Sequence, residues 1–205
     1  MLKIWGRANS SNVQKVLWCC DELGIGFERI DAGGAFGRTQ DPEYLAMNPN
    51  GLVPTVQDGD LIIWESNTIL RYLATTRGGA RLYPTNPAAR THVERWMDWQ
   101  LATMTGPMTT LLFGLIRKVP PHTDPKAIAE ARERGLKVFQ ILERSLKDKE
   151  YPAGSFSLAD ICLGMFAYRW FNFPIDPGDL PNVRAWYERL TTRPGFKTHI
   201  MQPIT

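Results

Sequence analysis

Asn48-Pro-Asn-Gly-Leu-Val-Pro-Thr-Val-Gln-Asp-Gly-Asp-Leu-Ile-Ile-Trp-Glu-Ser-Asn-Thr68 is the stretch whose reading decides the fold. It runs turn, Val-Pro, strand, Asp-Gly turn, strand, and then Glu-Ser at the mouth of a helix. Pro54 stands where a strand begins, so it donates nothing to a ladder there. An X-Pro bond adopts the cis form at little cost, and a cis bond marks a tight turn. Val53-Pro54 is a candidate for such a bond. Asp58-Gly59 separates Val56 from Leu61-Ile62-Ile63, a strong short-range hairpin signal. Glu65-Ser66 then opens the apolar spacing Ile69, Leu70, Leu73, which predicts a helix over 67–76.

Working outward, residues 2–6 alternate as a short first strand. Ser10, Ser11 and Asn12 are good helix N-caps. They precede Val13, Val16, Leu17, Cys20 and Leu23, spaced as on one helix face, and Gly24 ends that helix. Phe27 to Asp31 reads as a second strand. Gly33 to Met47 reads as a loop with a helical turn at Pro42–Leu45. The order is βαβ followed by ββα, the thioredoxin-like arrangement, with the first two strands parallel through a right-handed crossover.

Arg77 to Pro87 is dense in Gly and Pro and reads as a linker. Past it the pattern changes to long helices. Residues 88–117 carry Val93, Trp96, Met97, Leu101, Met104, Leu111, Leu112 and Leu115, with Gly106-Pro107 as an expected kink. Residues 126–147 form a second amphipathic helix. Ser157-Leu-Ala-Asp160 has capping-box spacing and opens an almost wholly apolar helix from Ile161 to Phe171, which belongs in the middle of a bundle. A last helix runs from Leu180 to Leu190. The expected fold is an α/β thioredoxin-like domain over 1–77, a linker over 78–87, and an all-α helical bundle over 88–205.

The chain has 205 residues, 43% hydrophobic and 22% charged, enough to bury a core without staples. A net charge of +3 without a Lys/Arg block gives no reason to expect nucleic acid or a membrane as partner. No apolar run approaches the about 20 residues that span a bilayer, and the N-terminus carries no secretory pattern. Three cysteines, two of them adjacent, make no disulfide framework, so a reducing cytoplasm is expected.

On the Val-Pro loop, the hairpin, the Glu65-Ser66 pair, the linker, the Ser-Leu-Ala-Asp box and the closing Pro-Asn-Val-Arg-Ala-Trp and Arg-Pro-Gly-Phe segments, the whole chain resembles the cytosolic glutathione S-transferases. Gly6-Arg-Ala-Asn-Ser-Ser-Asn-Val-Gln-Lys-Val16 resembles their serine-type classes, where the serine stands five residues before a basic residue followed by Val. It also resembles bacterial members in which a threonine and an asparagine approach the sulfur. The resemblance implies glutathione as co-substrate, no metal, a small hydrophobic electrophile and a homodimer. The implied activity is conjugation of the thiolate to electrophiles, with peroxidase or disulfide-bond reductase activity needing the same site. A ligand-binding or stress protein with little turnover on the same scaffold is the alternative.

The ligand's chemistry then assigns roles. Its γ-glutamyl carboxylate suits Ser66 and the helix N-terminus, and its ammonium suits Glu65. Its peptide middle suits the backbone of Val53, ahead of Pro54, as an added strand. Its thiol, with a pKa of about 8.5, needs a hydrogen-bond donor to ionise at neutral pH. The resemblance to the serine-type and bacterial members implies Ser10 as the principal donor and Asn12 as its support, with Ser11 pointing away or capping the helix. Arg38 and Gln40 are candidates for the glycine carboxylate. By family analogy Arg7, Met104, Met108 and Phe113 line the electrophile pocket. Each has a plainer reading as cap, edge strand, solvated loop or core. Cys19 and Cys20 lie two turns into the first helix, away from a redox position, and are expected in the core. His92, His122 and His199 lack metal-ligand spacing, and Asp160 is expected to cap a helix rather than act as an acid.

Overall fold

The structure, a computed structural model, describes residues 1–205. Contacts divide the chain into two compact units. One is Met1–Pro84 with Pro194–Gln202; the other is Thr85–Arg193 with Pro203–Thr205.

The first unit is built on a four-stranded sheet of order β2-β1-β3-β4. Strand β1 (Leu2–Trp5) pairs in parallel with β2 (Phe27–Ile30), so that Leu2 faces Phe27 and Ile4 faces Arg29. It pairs antiparallel with β3 (Thr55–Asp58), which makes the expected hairpin with β4 (Leu61–Trp64). Gly59 turns that hairpin at φ 62°, a conformation glycine adopts without steric cost. Ile4, Val56 and Ile63 lie side by side in the register and are buried. Each such side chain contributes about 1.5–3 kcal/mol by leaving water.

Helix α1 (Ser11–Leu23) starts behind Ser10 and stops at Gly24, whose left-handed φ of 65° lets the next amides bond back onto the last turn. Ile25 N–H reaches the Cys20 carbonyl at 2.9 Å. Helix α2 (Pro42–Met47) is one residue pair longer than the expected turn, and α3 (Ser66–Thr76) packs on α1. Residues 196–200 pack on α1 as well, and Phe196 meets Trp18 edge to face at 5.1 Å between ring centres. A Cβ at Gly195 would lie 2.6 Å from Trp18 Cδ1, so only glycine fits there. Cys19, Cys20 and Cys162 are buried and take part in no disulfide. Burial, aided by the charge of Asp21, pushes the Cys20 thiol up to about 12, which leaves it inert.

In the second unit the helical run after Pro87 carries Gly106-Pro107 inside a short α-helix flanked by two wide turns. Helix α4 (Pro87–Trp99) passes through a wide π turn at Gln100–Met104 into α5 (Thr105–Leu111), and a second wide turn covers Leu112–Ile116. Pro107 has no N–H to return to the previous turn. The wide turn before it absorbs that defect, and the Thr105 hydroxyl donates to the Gln100 carbonyl at 3.0 Å.

Helix α6 (Pro125–Ser145) is capped by Asp124, whose side chain accepts from Lys126 N–H. Helix α7 (Leu158–Asn172) is buried along almost its whole length, as its apolar sequence predicts. Asp160 accepts from Ser157 N–H at 2.8 Å and from Trp186 Nε1, on α8 (Pro181–Thr191), at 2.8 Å. Burial pushes its carboxyl up to about 7 against those hydrogen bonds. Asp160 thus ties the start of α7 to α8. No helix in the chain is long and apolar enough to cross a membrane.

Candidate functional site

The hollow that gathers the expected residues lies in the first unit. It has about 300 Å³ of open space and is lined by Asn12, Asn48, Asn50, Leu52, Val53, Pro54, Trp64, Glu65 and Ser66. Five of the residues expected from the sequence, Asn12, Val53, Pro54, Glu65 and Ser66, share it.

Local sequence explains each position. The Val53-Pro54 bond is cis. Neither the N–H nor the C=O of Val53 makes a hydrogen bond within the chain. An unpaired backbone donor and acceptor at the edge of a hollow offer an extended peptide a strand-like partner. The loop before it is held by buried polar side chains. Asn48 Nδ2 donates to the Leu52 carbonyl at 2.9 Å and to Thr55 Oγ1 at 3.0 Å. Tyr44 Oη donates to the same carbonyl at 2.8 Å. Asn50 N–H donates to Asn48 Oδ1 at 3.1 Å.

Glu65 precedes α3 with φ 70° and ψ 108°, a conformation that L residues rarely take. Such strain costs of order 1–3 kcal/mol and collects at functional positions. Here it turns an exposed carboxylate with no partner in the chain to the rim of the hollow. Ser66 follows as the first helical residue. It is 3% exposed, and its hydroxyl has no partner in the chain. The amide N–H groups of the first turn add an electropositive end. One dipeptide therefore presents a negative group and an anion-seeking group side by side. Glu65 is the one ionisable residue among those lining the hollow.

The other end of the hollow is Asn12, on the first turn of α1, whose carboxamide makes no hydrogen bond in the chain. Ser10 caps α1 in extended conformation with its hydroxyl unpartnered. It is 8% exposed and is not among the lining residues. Arg38 is exposed at φ 67°, and Gln40 lies over Gly51; neither lines the hollow. Arg7 lies over Gly34 and donates to Asn9 Oδ1 at 2.8 Å. Met104 and Met108, 0% and 1% exposed, are packed inside the helical unit and offer no surface to a ligand there. Phe113 is half-buried against His122, with Arg117 over its ring.

Sequence reading did not single out Asn48, Asn50, Leu52 and Trp64 as lining residues. The Asn-Pro-Asn-Gly turn held a signal for the first two, since Asn side chains commonly hydrogen-bond a nearby backbone in turns. Leu52 and Trp64 are among the exposed large apolar residues of the chain, and together they give the hollow an apolar lip.

The family model for the glutathione S-transferase N-terminal domain matches residues 1–75, and the model for the C-terminal domain matches residues 108–194. The chain belongs to the glutathione S-transferase family. Glutathione S-transferase GstB of Escherichia coli strain K12 is 41% identical over 208 residues, covering 100% of both chains. A probable glutathione S-transferase of Oryza sativa, GSTF1, is 32% identical, covering 96% of this chain and 94% of its own. Among solved structures, the theta class glutathione S-transferase of Xanthomonas axonopodis pv. citri with glutathione bound superposes with a TM-score of 0.94. It is 44% identical and covers 100% of this chain and 99% of that one. Its apo form gives 0.86. Ser10 and Asn12 stand at the start of α1, Glu65 and Ser66 at the start of α3, and Val53-Pro54 in the loop before β3.

Proposed function

We propose that the hollow binds glutathione and that the protein adds the glutathione thiolate to electrophilic small molecules. The observation that carries this is the convergence of Glu65, Ser66, the unpaired Val53 backbone and Asn12 on one cavity. The Glu65 carboxylate takes the γ-glutamyl ammonium. Ser66 and the α3 amides take its carboxylate. Val53 takes the cysteinyl backbone as an added strand. The thiol then lies toward the N-terminus of α1, where Ser10 is the principal hydrogen-bond donor and Asn12 the supporting one. The relative that binds glutathione, at 44% identity, supports the reading.

The chemistry asked of the protein is modest. A thiol of pKa about 8.5 is only a few per cent ionised at pH 7. One or two donated hydrogen bonds and a helix N-terminus lower that value and raise the thiolate fraction. Holding the electrophile beside it supplies the remaining rate through proximity. Arg7 and Phe113, which keep accessible surface, are the electrophile-side candidates; Arg38 and Gln40 are those for the glycine carboxylate. The reading includes a cytoplasmic homodimer with 1–77 as the glutathione domain and 88–205 as the helical one.

Glutathione-affinity capture, followed by assays with aryl halides, organic peroxides and mixed disulfides, tests it. Retention on the matrix with turnover of at least one electrophile class is expected. Retention without turnover would favour a ligand-binding protein, and no retention would reject the glutathione site.

A further inference from the structure

Lys15, on α1, is fully buried, with 0% of its surface exposed. Its Nζ donates a 2.8 Å hydrogen bond to Asn67 Oδ1. Asn67 is the second residue of α3 and is 2% exposed. Removing an ammonium from water is expensive, and an unbranched apolar side chain would fill the same space at lower cost.

The bond joins the two helix ends that line the hollow. Asn12 lies one helical turn before Lys15 on the same face of α1 and lines it. Ser66 immediately precedes Asn67 and lines it from α3. The Ser66 side chain is itself buried and unpartnered where it opens on the cavity. An anion held at Ser66 would therefore meet the N-terminal amides of α3, while the Lys15 ammonium is bonded to the side chain of the very next residue. In such weakly polar surroundings a charge acts over several ångströms. The opposing charge at the hollow is Glu65, which serves the ammonium of the same amino-acid head group.

We propose that Lys15 is a positioning residue for the amino-acid end of the ligand. Its ammonium, bonded to Asn67 in the first turn of α3, adds positive charge to the helix end that receives the γ-glutamyl carboxylate. This rests on the reading of the hollow as a glutathione site, and it gives a buried side chain outside the hollow a share in ligand selection.

Calorimetry on the full-length protein tests it with two tripeptides, glutathione and 4-aminobutyryl-Cys-Gly, which lacks only the γ-glutamyl carboxylate. Lys15→Met removes the charge, and Asn67→Asp neutralises it while keeping the acceptor. Both are expected to weaken glutathione about tenfold, equivalent to about 1.4 kcal/mol, and to change 4-aminobutyryl-Cys-Gly less than twofold. Lys15→Arg is expected to restore most of the glutathione affinity, and kcat at saturating glutathione should stay within about twofold throughout. Equal weakening for both tripeptides would reduce Lys15 to a structural support, and an unchanged glutathione affinity would reject the proposal outright. If Lys15→Met does not fold, Asn67→Asp carries the same comparison. Failure of the wild type to bind either tripeptide would remove the glutathione reading and this proposal with it. Binding by the wild type without carboxylate selectivity in the variants would remove this proposal alone.

Discussion

The Tyr44 hydroxyl lies 2.8 Å from Thr55 Oγ1, and the same hydroxyl donates to the Leu52 carbonyl at 2.8 Å. Thr55, which also accepts from Asn48, begins β3, and Leu52 begins the Val-Pro loop. One buried phenol therefore sets the distance between the sheet and the loop that carries the unpaired Val53 backbone. Burial raises the Tyr44 pKa, against the lowering effect of its Thr55 hydrogen bond, so the phenol stays neutral and keeps its proton for Leu52. Tyr44→Phe leaves the Leu52 carbonyl with one donor and should cost about 1–2 kcal/mol of stability. It should also raise KM for glutathione several-fold with little change in kcat. Thermal unfolding and steady-state kinetics check the two parts separately.

The strained φ of 70° at Glu65 separates stability from function. A residue without Cβ relieves the steric part of that strain, so Glu65→Gly should be as stable as the wild type or about 1 kcal/mol more stable. It should nonetheless lose about tenfold or more in glutathione affinity, because a charge-assisted hydrogen bond contributes about 1.5–3 kcal/mol. Glu65→Gln should lose affinity to a similar extent while keeping the strain. Denaturant titration paired with calorimetry would show whether the strain and the carboxylate are coupled in this way.

At the sulfur end, Ser10→Ala should raise the pKa of bound glutathione by about one unit and lower kcat/KM at pH 6.5 about tenfold, with the deficit closing as pH rises. Asn12→Ala should give a smaller shift of the same sign. Ser11→Ala should be near wild type. The pH profile of kcat/KM for the three variants checks the order. A dominant effect of Ser11 would overturn it, and a dominant effect of Asn12, the residue that lines the hollow, would move the principal role there.

Asp160 predicts a pH-dependent stability. Its carboxyl is pushed from 3.8 to about 7 in the folded protein. The folded state therefore holds the proton more tightly than the unfolded chain. The stability this supplies is complete below about pH 4 and is lost as pH rises toward 7. Comparing wild type with Asp160→Asn by chemical denaturation, the advantage of the wild type should shrink by roughly 2–4 kcal/mol between pH 4 and 8. A flat difference would show that the three hydrogen bonds from Ser157 and Trp186 hold the carboxylate ionised.

Local chemistry made much of this molecule legible before any coordinates. Asp58-Gly59, Gly24 and the Ser157/Asp160 pair announce their turn and caps because each acts within a few residues. The place of Glu65 and Ser66 at a helix start was legible for the same reason. The Tyr44–Thr55–Asn48 network was not, because it joins a short helix to a strand across a loop that has no periodicity. The docking of Phe196 on Trp18 was hidden too, since nothing in either segment names its partner. Met104 and Met108 show a different limit. A core position and a pocket wall both ask for an apolar residue at helical spacing, and only burial distinguishes them. Lys15 sat in plain view within the Gln-Lys-Val run, yet its burial against Asn67 required the packing of α1 on α3.

The most direct measurement is a crystal structure of the protein soaked with glutathione. The account predicts the γ-glutamyl group against Glu65 and Ser66, the cysteinyl backbone paired with Val53, and the sulfur within hydrogen-bond reach of Ser10 or Asn12. An empty hollow, or a tripeptide lying with its sulfur remote from the start of α1, would contradict it.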